Sequence, residues 1–293
     1  MFNPAKSSSN PQNNPSKYPR KPVIYPIGKN MLLNKMRSSL WRYLKYKRQL
    51  ENPFPDEAPI EARHKLVEII EAGLTLGNPI KLWSTYSAMA YVEKNEIAGD
   101  FVEVGCWKAG HLIAALRGSQ SICSVQPRDK KKYRKFHGYD LFDDGFANIV
   151  RDPHDVPTKT RDATLGHVNN WSDLNSVMLP HPASIVEVES SCRKHFQSHS
   201  FELHQCNLND RSSILSIPEN IAVLRIDCDF YSPSLTSLEL FYPNLARGGV
   251  LILDDYGHWE GAKLATDEYF RNSASSEPLL FFQDSGSRAG IKI

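Results

Sequence analysis

Between residues 100 and 255 five short apolar runs recur: DFVEVG (100–105), KFHGYDLF (135–142), SFELHQCN (200–207), IAVLRID (221–227) and GGVLILDD (248–255). Runs of this length, rich in β-branched and aromatic residues, read as strands. The amphipathic segments AGHLIAALRG, SPSLTSLELFYPNL and EGAKLATDEYF fall around them and read as helices. Strands alternating with helices bury a parallel sheet on both faces. The closing segments PLLFFQD and RAGIKI read as a hairpin, which adds an antiparallel edge. The expectation is an α/β chain with a mostly parallel sheet.

Upstream, the pattern predicts helices from Pro59 through Leu76 and over IKLWSTYSAMAYVEKNEI. Residues 1–30 are rich in Pro, Asn and Ser and are expected to be disordered. Leu33, Met36, Leu40 and Leu44 have helical spacing within 31–50, the mark of an amphipathic helix. We therefore divide the chain into a basic arm, 1–58, and a main domain, 59–293. The polar, proline-bearing stretch 143–190 is long for a connection in a compact domain and is expected to be a lid-like insert.

The net charge of +2 hides an asymmetry. Residues 1–50 carry eleven of the 35 Lys and Arg and no acid, so the rest holds 24 basic against 33 acidic residues. Such an arm can meet nucleic acid or an anionic membrane, but a solvated tail is the simpler reading, and neither partner is firmly signalled. RDKKKYRKF (128–136) is likewise expected to be a solvated loop. No apolar stretch approaches the eighteen or so residues that span a bilayer. The N-terminus lacks the apolar core of a secretory signal, and five cysteines have no disulfide-framework spacing, which points to a reducing, cytoplasmic setting.

The chemistry-bearing residues gather at the ends of the predicted strands, where open α/β sheets bind ligands. In EVGCWKAGH, Gly105 and Gly110 allow close backbone approach ahead of a helix N-terminus, with Glu103 beside them and Asp140 ending the second run. These fit a nucleotide-type cofactor without separating a dinucleotide from S-adenosylmethionine. The strand LRID raises a different question: why does so apolar a run end in Asp227, with Asp229 two residues on? Asp254 and Asp255 end the next strand, and a strand–helix–strand interval would converge all three of Asp227, Asp254 and Asp255. Crowded carboxylates repel unless a cation joins them, and hard oxygens suit Mg²⁺. Asp229 would lie on the same side as Asp227 in an extended chain and is the candidate general base. Cys228 between them should face the sheet packing. Cys192, His195, His199, His204 and Cys206 form a rival set with zinc-type chemistry. It lacks paired CxxC spacing, and His204 and Cys206 share a core-facing strand phase, so zinc is the weaker reading.

Four stretches, GDFVEVGCWKAG, YDLF, LRIDCDFYSPSLTSLELFYPNLARGGVLILDDYGHWEGAKLATDEYF and SGSRAGIKI, resemble the macrocin O-methyltransferase family. The resemblance covers roughly residues 65–293 and is strongest over 221–270. It implies a Rossmann-like class I methyltransferase sheet of seven strands with an antiparallel C-terminal hairpin. It also implies methylation of a hydroxyl on a small molecule, a sugar or glycosylated natural product, using S-adenosylmethionine and Mg²⁺. By motif it assigns Asp227, Asp254 and Asp255 to the metal, Asp229 to the general base, and Glu103, Gly105 and Asp140 to the cofactor. His258 is a second candidate base or a substrate contact, and Tyr231 and Trp259 would flank the mouth, either as stacking surfaces for a sugar or aglycone or as rim packing. The chain departs from the pattern at Ala109, where the family has a second glycine, in DLFDDG, which is one residue longer, and in the arm and insert. A nucleic-acid methyltransferase using the arm's Tyr18, Tyr25, Trp41 and Tyr43, or a non-catalytic cofactor-binding module, are the alternatives. The expected partner is a small hydroxylated acceptor, and a homo-oligomer is compatible with the sequence.

Overall fold

The computed structural model describes residues 54–123, 134–144, 152–158, 183–197, 199–273 and 276–293, all within the unit Pro53–Ile293. The expected arm helix at 31–50 lies outside the described residues, as do 145–151 and 159–182 of the insert.

Seven strands form one sheet: β1 (Asp100–Val104), β2 (Lys135–Asp140), β3 (Ser200–Gln205), β4 (Ile221–Ile226), β5 (Leu245–Leu253), β6 (Phe281–Phe282) and β7 (Arg288–Ile291). Their order is β3-β2-β1-β4-β5-β7-β6. The first five are parallel, and β7 runs antiparallel to β5 and β6, so the expected hairpin edge is present. The helices are α1 (Ile60–Glu71), α2 (Pro79–Lys94), α3 (Gly110–Cys123), α4 (Ile185–His195), α5 (Tyr231–Phe241) and α6 (Glu260–Asn272).

Side chains alternate across each strand, and this alternation builds two cores. Phe101, Phe136, Val223 and Val250 pack with Leu66 of α1, Leu82 and Met89 of α2, Leu112 of α3 and Val188 of α4. Val102, Tyr139, Leu224 and Leu251 face the other way onto Leu238 and Phe241 of α5 and Tyr269 and Phe270 of α6. β4 is buried along its whole length, as a central parallel strand covered on both faces must be, whereas the end strand β3 is only partly covered. α2 begins where Asn78 accepts a hydrogen bond from the Lys81 amide (3.0 Å), with Pro79 in the first turn, a favourable helix start.

Two expectations are corrected. α4 occupies 185–195, so the end of the supposed insert is a packed helix that buries Val188 and Cys192. The basic run 128–136 is not solvated throughout. Arg134 is buried and ion-paired to Glu93 (2.9 Å), and Phe136 lies in the core. Burying that guanidinium is tolerable because Glu93 and backbone carbonyls of Val92 and Gly99 satisfy it.

Candidate active site

The strand order reverses between β1 and β4, and the carboxyl ends of those two strands mark the crevice where such sheets bind ligands. A cavity of about 300 Å³ opens there, bordered by the residues assigned to cofactor, metal and base, Glu103, Gly105, Gly110, Asp140, Asp227, Asp229, Asp254, Asp255 and His258, but not by Tyr231 or Trp259.

The β1–α3 turn forms one wall. Gly105 has φ +83°, and a Cβ there would lie 1.8 Å from the carbonyl oxygen of Asp227. A Cβ at Gly110 would lie 2.5 Å from the Leu74 carbonyl oxygen. Both glycines are thus demanded by the chain's own close approaches, Gly105 to the end of β4 and Gly110 to the segment after α1. Trp107 (φ 44°) and Ala109 (φ 63°) also take left-handed conformations. Ala109 holds that conformation without being glycine, at a strain of roughly 1–2 kcal/mol. Asp140 ties the turn to β2: its Oδ2 accepts from the Trp107 amide (2.7 Å) and its Oδ1 from the Phe142 amide (3.2 Å). Burial raises its carboxyl pKa in spite of those bonds.

Beneath the cavity lies a buried knot of charge. Arg225, 1% exposed near the carboxyl end of β4, donates through Nη1 to Glu103 Oε1 (2.7 Å) and Asp227 Oδ2 (2.7 Å). Its Nη2 donates to Asp254 Oδ1 and to His111 Nε2 (3.2 Å). Lys81, buried on α2, donates to Asp254 Oδ2. The positive partner that Asp227 requires is thus the arginine within the same motif, while Asp254 is shared between that arginine and a lysine from α2. Burial would raise the Asp254 carboxyl, but Arg225 and Lys81 outweigh it and hold it well below the ordinary range. Glu103 is the reverse case: burial pushes it up to about 8 despite Arg225, and its Oε2 is buried without a hydrogen-bond partner. Burial, followed by the crowding of Asp229, Asp227 and Asp254, pushes Asp255 well above the carboxylate range. Burial and then Arg225 depress His111, which is neutral. Because Arg225 can only donate, His111 Nε2 accepts and its Nδ1–H faces Thr85 Oγ1 at 2.9 Å.

Asp227, Asp254 and Asp255 bring carboxylate oxygens within 4.8 Å of one another. Asp229 joins them differently from the extended path expected of it. Its φ is +60°, its amide donates to Asp255 Oδ2 (3.1 Å), and its Oδ1 accepts from the indole N–H of Trp259. Trp259 is 1% exposed, so it is no stacking surface at the mouth; it positions Asp229. Tyr231 spends its hydroxyl on Glu268 (2.6 Å). His258 sits at the rim with Nε2 3.2 Å from Ser285 Oγ. Cys228 turns its sulfur toward the Val104 carbonyl oxygen (3.6 Å) and Ser237, as expected of a packing residue.

Part of the insert is fastened beside this site. Thr158 N donates to His258 O (2.9 Å), Glu260 N donates to Val156 O (3.0 Å), and buried Asp155 accepts from the Tyr231 amide (2.6 Å) at the start of α5. The sequence reading missed Lys81, Arg225, His111 and Asp155. Only Arg225 carried a signal, being the one charge inside an otherwise apolar strand. The rival zinc set does not assemble, since Cys192 and Cys206 belong to cores on opposite faces of the sheet.

A family model described as Macrocin-O-methyltransferase (TylF) matches residues 208–286. Demethyldecarbamoylnovobiocin O-methyltransferase of Streptomyces niveus is 26% identical over 198 residues, covering 66% of this chain and 66% of that protein. Mycinamicin III 3''-O-methyltransferase of Micromonospora griseorubida is 28% identical over 167 residues, covering 56% and 57%. The matches thus span just under two thirds of these relatives' lengths, or less. Among solved structures, the O-methyltransferase NovP superimposes with a TM-score of 0.56 at 24% identity, covering 74% of this chain and 81% of that one, and shares the fold. The resemblance read from the sequence is borne out: the family model that matches is the macrocin O-methyltransferase one, and the two relatives are O-methyltransferases.

Proposed function

We propose that this chain is an O-methyltransferase dependent on S-adenosylmethionine and Mg²⁺, acting on a hydroxyl of a sugar or glycosylated natural product. The observation that carries this reading is the placement of Asp227, Asp229, Asp254 and Asp255 on the same cavity as the β1–α3 turn. The residues suit both groups. Acidic side chains outnumber Lys81 and Arg225 around the cavity, which favours a cationic sulfonium, and Glu103 keeps an unpartnered buried oxygen there. S-adenosylmethionine would supply the methyl group by in-line displacement at its sulfonium. Asp227, Asp254 and Asp255 offer the hard oxygens that Mg²⁺ takes, and the upward shift of Asp255 comes first from burial and then from carboxylate repulsion, which a divalent cation would relieve. Asp254 would share itself between that ion and its two basic partners. Mg²⁺ bound there would lower the pKa of the acceptor hydroxyl.

Asp229 takes the proton of the acceptor hydroxyl as the new bond forms. Trp259 holds Oδ1 of that carboxylate, and the Asp255 side chain holds its amide, so the base is oriented before substrate arrives. His258, at the rim, is the second candidate for proton acceptor or substrate contact. The free cysteines fit a cytoplasmic enzyme.

The test is calorimetric titration of the full chain with S-adenosylmethionine, with and without Mg²⁺, followed by a screen of glycoside acceptors for S-adenosylhomocysteine release. Cofactor binding, a metal heat lost in Asp254→Ala, and turnover reduced about 10²–10⁴-fold in Asp229→Asn are expected. Trp259→Phe should lower kcat about tenfold while cofactor affinity holds, the worth of one charge-assisted hydrogen bond. Absence of cofactor binding would overturn the proposal. Full activity in Asp229→Asn would remove that residue from the mechanism.

A further inference from the structure

A second cluster of metal-binding side chains lies away from the cavity, across strands β2 and β3. His137 of β2 is paired in register with Glu202 of the end strand β3, and His204 follows two residues later on the same face. His137 Nδ1 lies 3.3 Å from His204 Nε2 and 3.6 Å from Glu202 Oε2, and the last two atoms are 3.9 Å apart. The centre of that triangle is about 2.1 Å from each corner, the bond length of zinc to imidazole nitrogen and carboxylate oxygen.

The surroundings prepare the same three atoms. Asp100 Oδ2 stands 3.2 Å from His137 Nε2, the outer carboxylate that fixes a metal-ligating histidine's tautomer and leaves Nδ1 with its lone pair. Lys135 holds Glu202 Oε1 (2.7 Å), which turns Oε2 toward the histidines. Tyr139 stacks on the His204 ring at 4.3 Å and 12°, and its hydroxyl is anchored on Ser216 O (2.9 Å). His137 is buried while Glu202 is exposed enough for a solvent-facing fourth position.

We propose that His137, Glu202 and His204 form a site for a borderline divalent cation of the Zn²⁺ class, which clasps the end strand β3 to β2. Imidazole with one carboxylate suits Zn²⁺ over Mg²⁺, so this site and the aspartate site are chemically distinct. Without a cation, His204 Nε2–H donates to His137 Nδ1, and cation binding moves that proton to His204 Nδ1, so the ring ligates as its other neutral tautomer.

The experiment is a Zn²⁺ titration of the full chain, free of any polyhistidine tag, in excess Mg²⁺ to occupy the aspartates. A parallel Co²⁺ titration is read by visible d–d absorption. One equivalent of Zn²⁺ should bind and raise the Tm. His204→Ala and Glu202→Gln, both partly exposed and checked for fold by circular dichroism, should weaken binding more than about 100-fold and abolish the Tm shift. Asp100→Asn should weaken it about 10–100-fold, as loss of an outer partner does. No Zn²⁺ binding, or binding that is equal in wild type and in His204→Ala and Glu202→Gln, overturns the proposal.

Discussion

The molecule places two charged clusters on one sheet, and they differ in what surrounds them. At its centre Arg225, Glu103 and Asp254 are all within a few per cent of full burial, and the guanidinium touches three carboxylates at once. At its edge Lys135 and Glu202 form a similar-looking contact, but their side chains are 52% and 40% exposed. Buried charge has no water to fall back on, so each member of the central knot exists on condition of the others. Edge charge is solvated with or without its partner. Similar ion-pair distances therefore carry different energies, and burial decides which.

The largest effect should come from breaking the centre. Arg225→Met leaves Asp227 and Asp254 without their guanidinium, and loss of one member of a buried pair costs about 3–5 kcal/mol. Urea denaturation should show a loss of that size, or failure to yield folded protein. Asp227→Asn in the Arg225→Met background should return part of the stability, because it removes one of the stranded charges. A variant as stable as wild type would show that the knot is solvated after all.

That same arginine marks the limit of what the sequence made legible. Strands and helices followed from apolar period, and the aspartates from their place at strand ends, because both are local patterns read along the chain. The bond from Arg225 to Glu103 joins residues on neighbouring strands far apart in sequence, and Lys81 reaches Asp254 from a helix whose spacing reads as ordinary surface. Those contacts are set by strand order and helix packing. Trp259 shows the same gap. An aromatic beside the site motif suggests a stacking surface, and only its burial and its bond to Asp229 reveal a positioning role. His204 groups along the sequence with nearby cysteines and histidines, whereas strand register brings it to His137, which carries no local signal. α4 escaped notice because a polar, proline-bearing stretch precedes it.

A smaller effect separates the centre from the edge by pH. His111 is neutral in the fold because burial and Arg225 depress its pKa, whereas the unfolded chain takes up a proton near the ordinary 6.5. The unfolded state then binds more protons below that pH, so His111 contributes stability that is present above about 6.5 and lost as pH falls. Glu103 acts with the opposite sign: the fold keeps its proton up to about 8, so its contribution falls as pH rises from the ordinary 4.5. The comparison of wild type with His111→Gln at each pH cancels the Glu103 slope. Relative to the variant, wild type should lose up to about 1.4 kcal/mol per pH unit between 6.5 and 5. Parallel stability curves would show that His111 titrates alike in both states.

The smallest effect belongs to the edge. With chelator present, so that no metal contributes, Glu202→Gln removes a carboxylate that Lys135 holds down in pKa through a hydrogen bond at the surface. Exposed pairs of this kind are worth no more than about 1 kcal/mol, and salt screens them further. Urea midpoints of wild type and variant should therefore nearly coincide and converge as ionic strength rises. A loss as large as that of Arg225→Met would erase the contrast between centre and edge. It would mean that Glu202 restrains β3 through the two histidines even without a cation, because their shared proton then needs the carboxylate beside it.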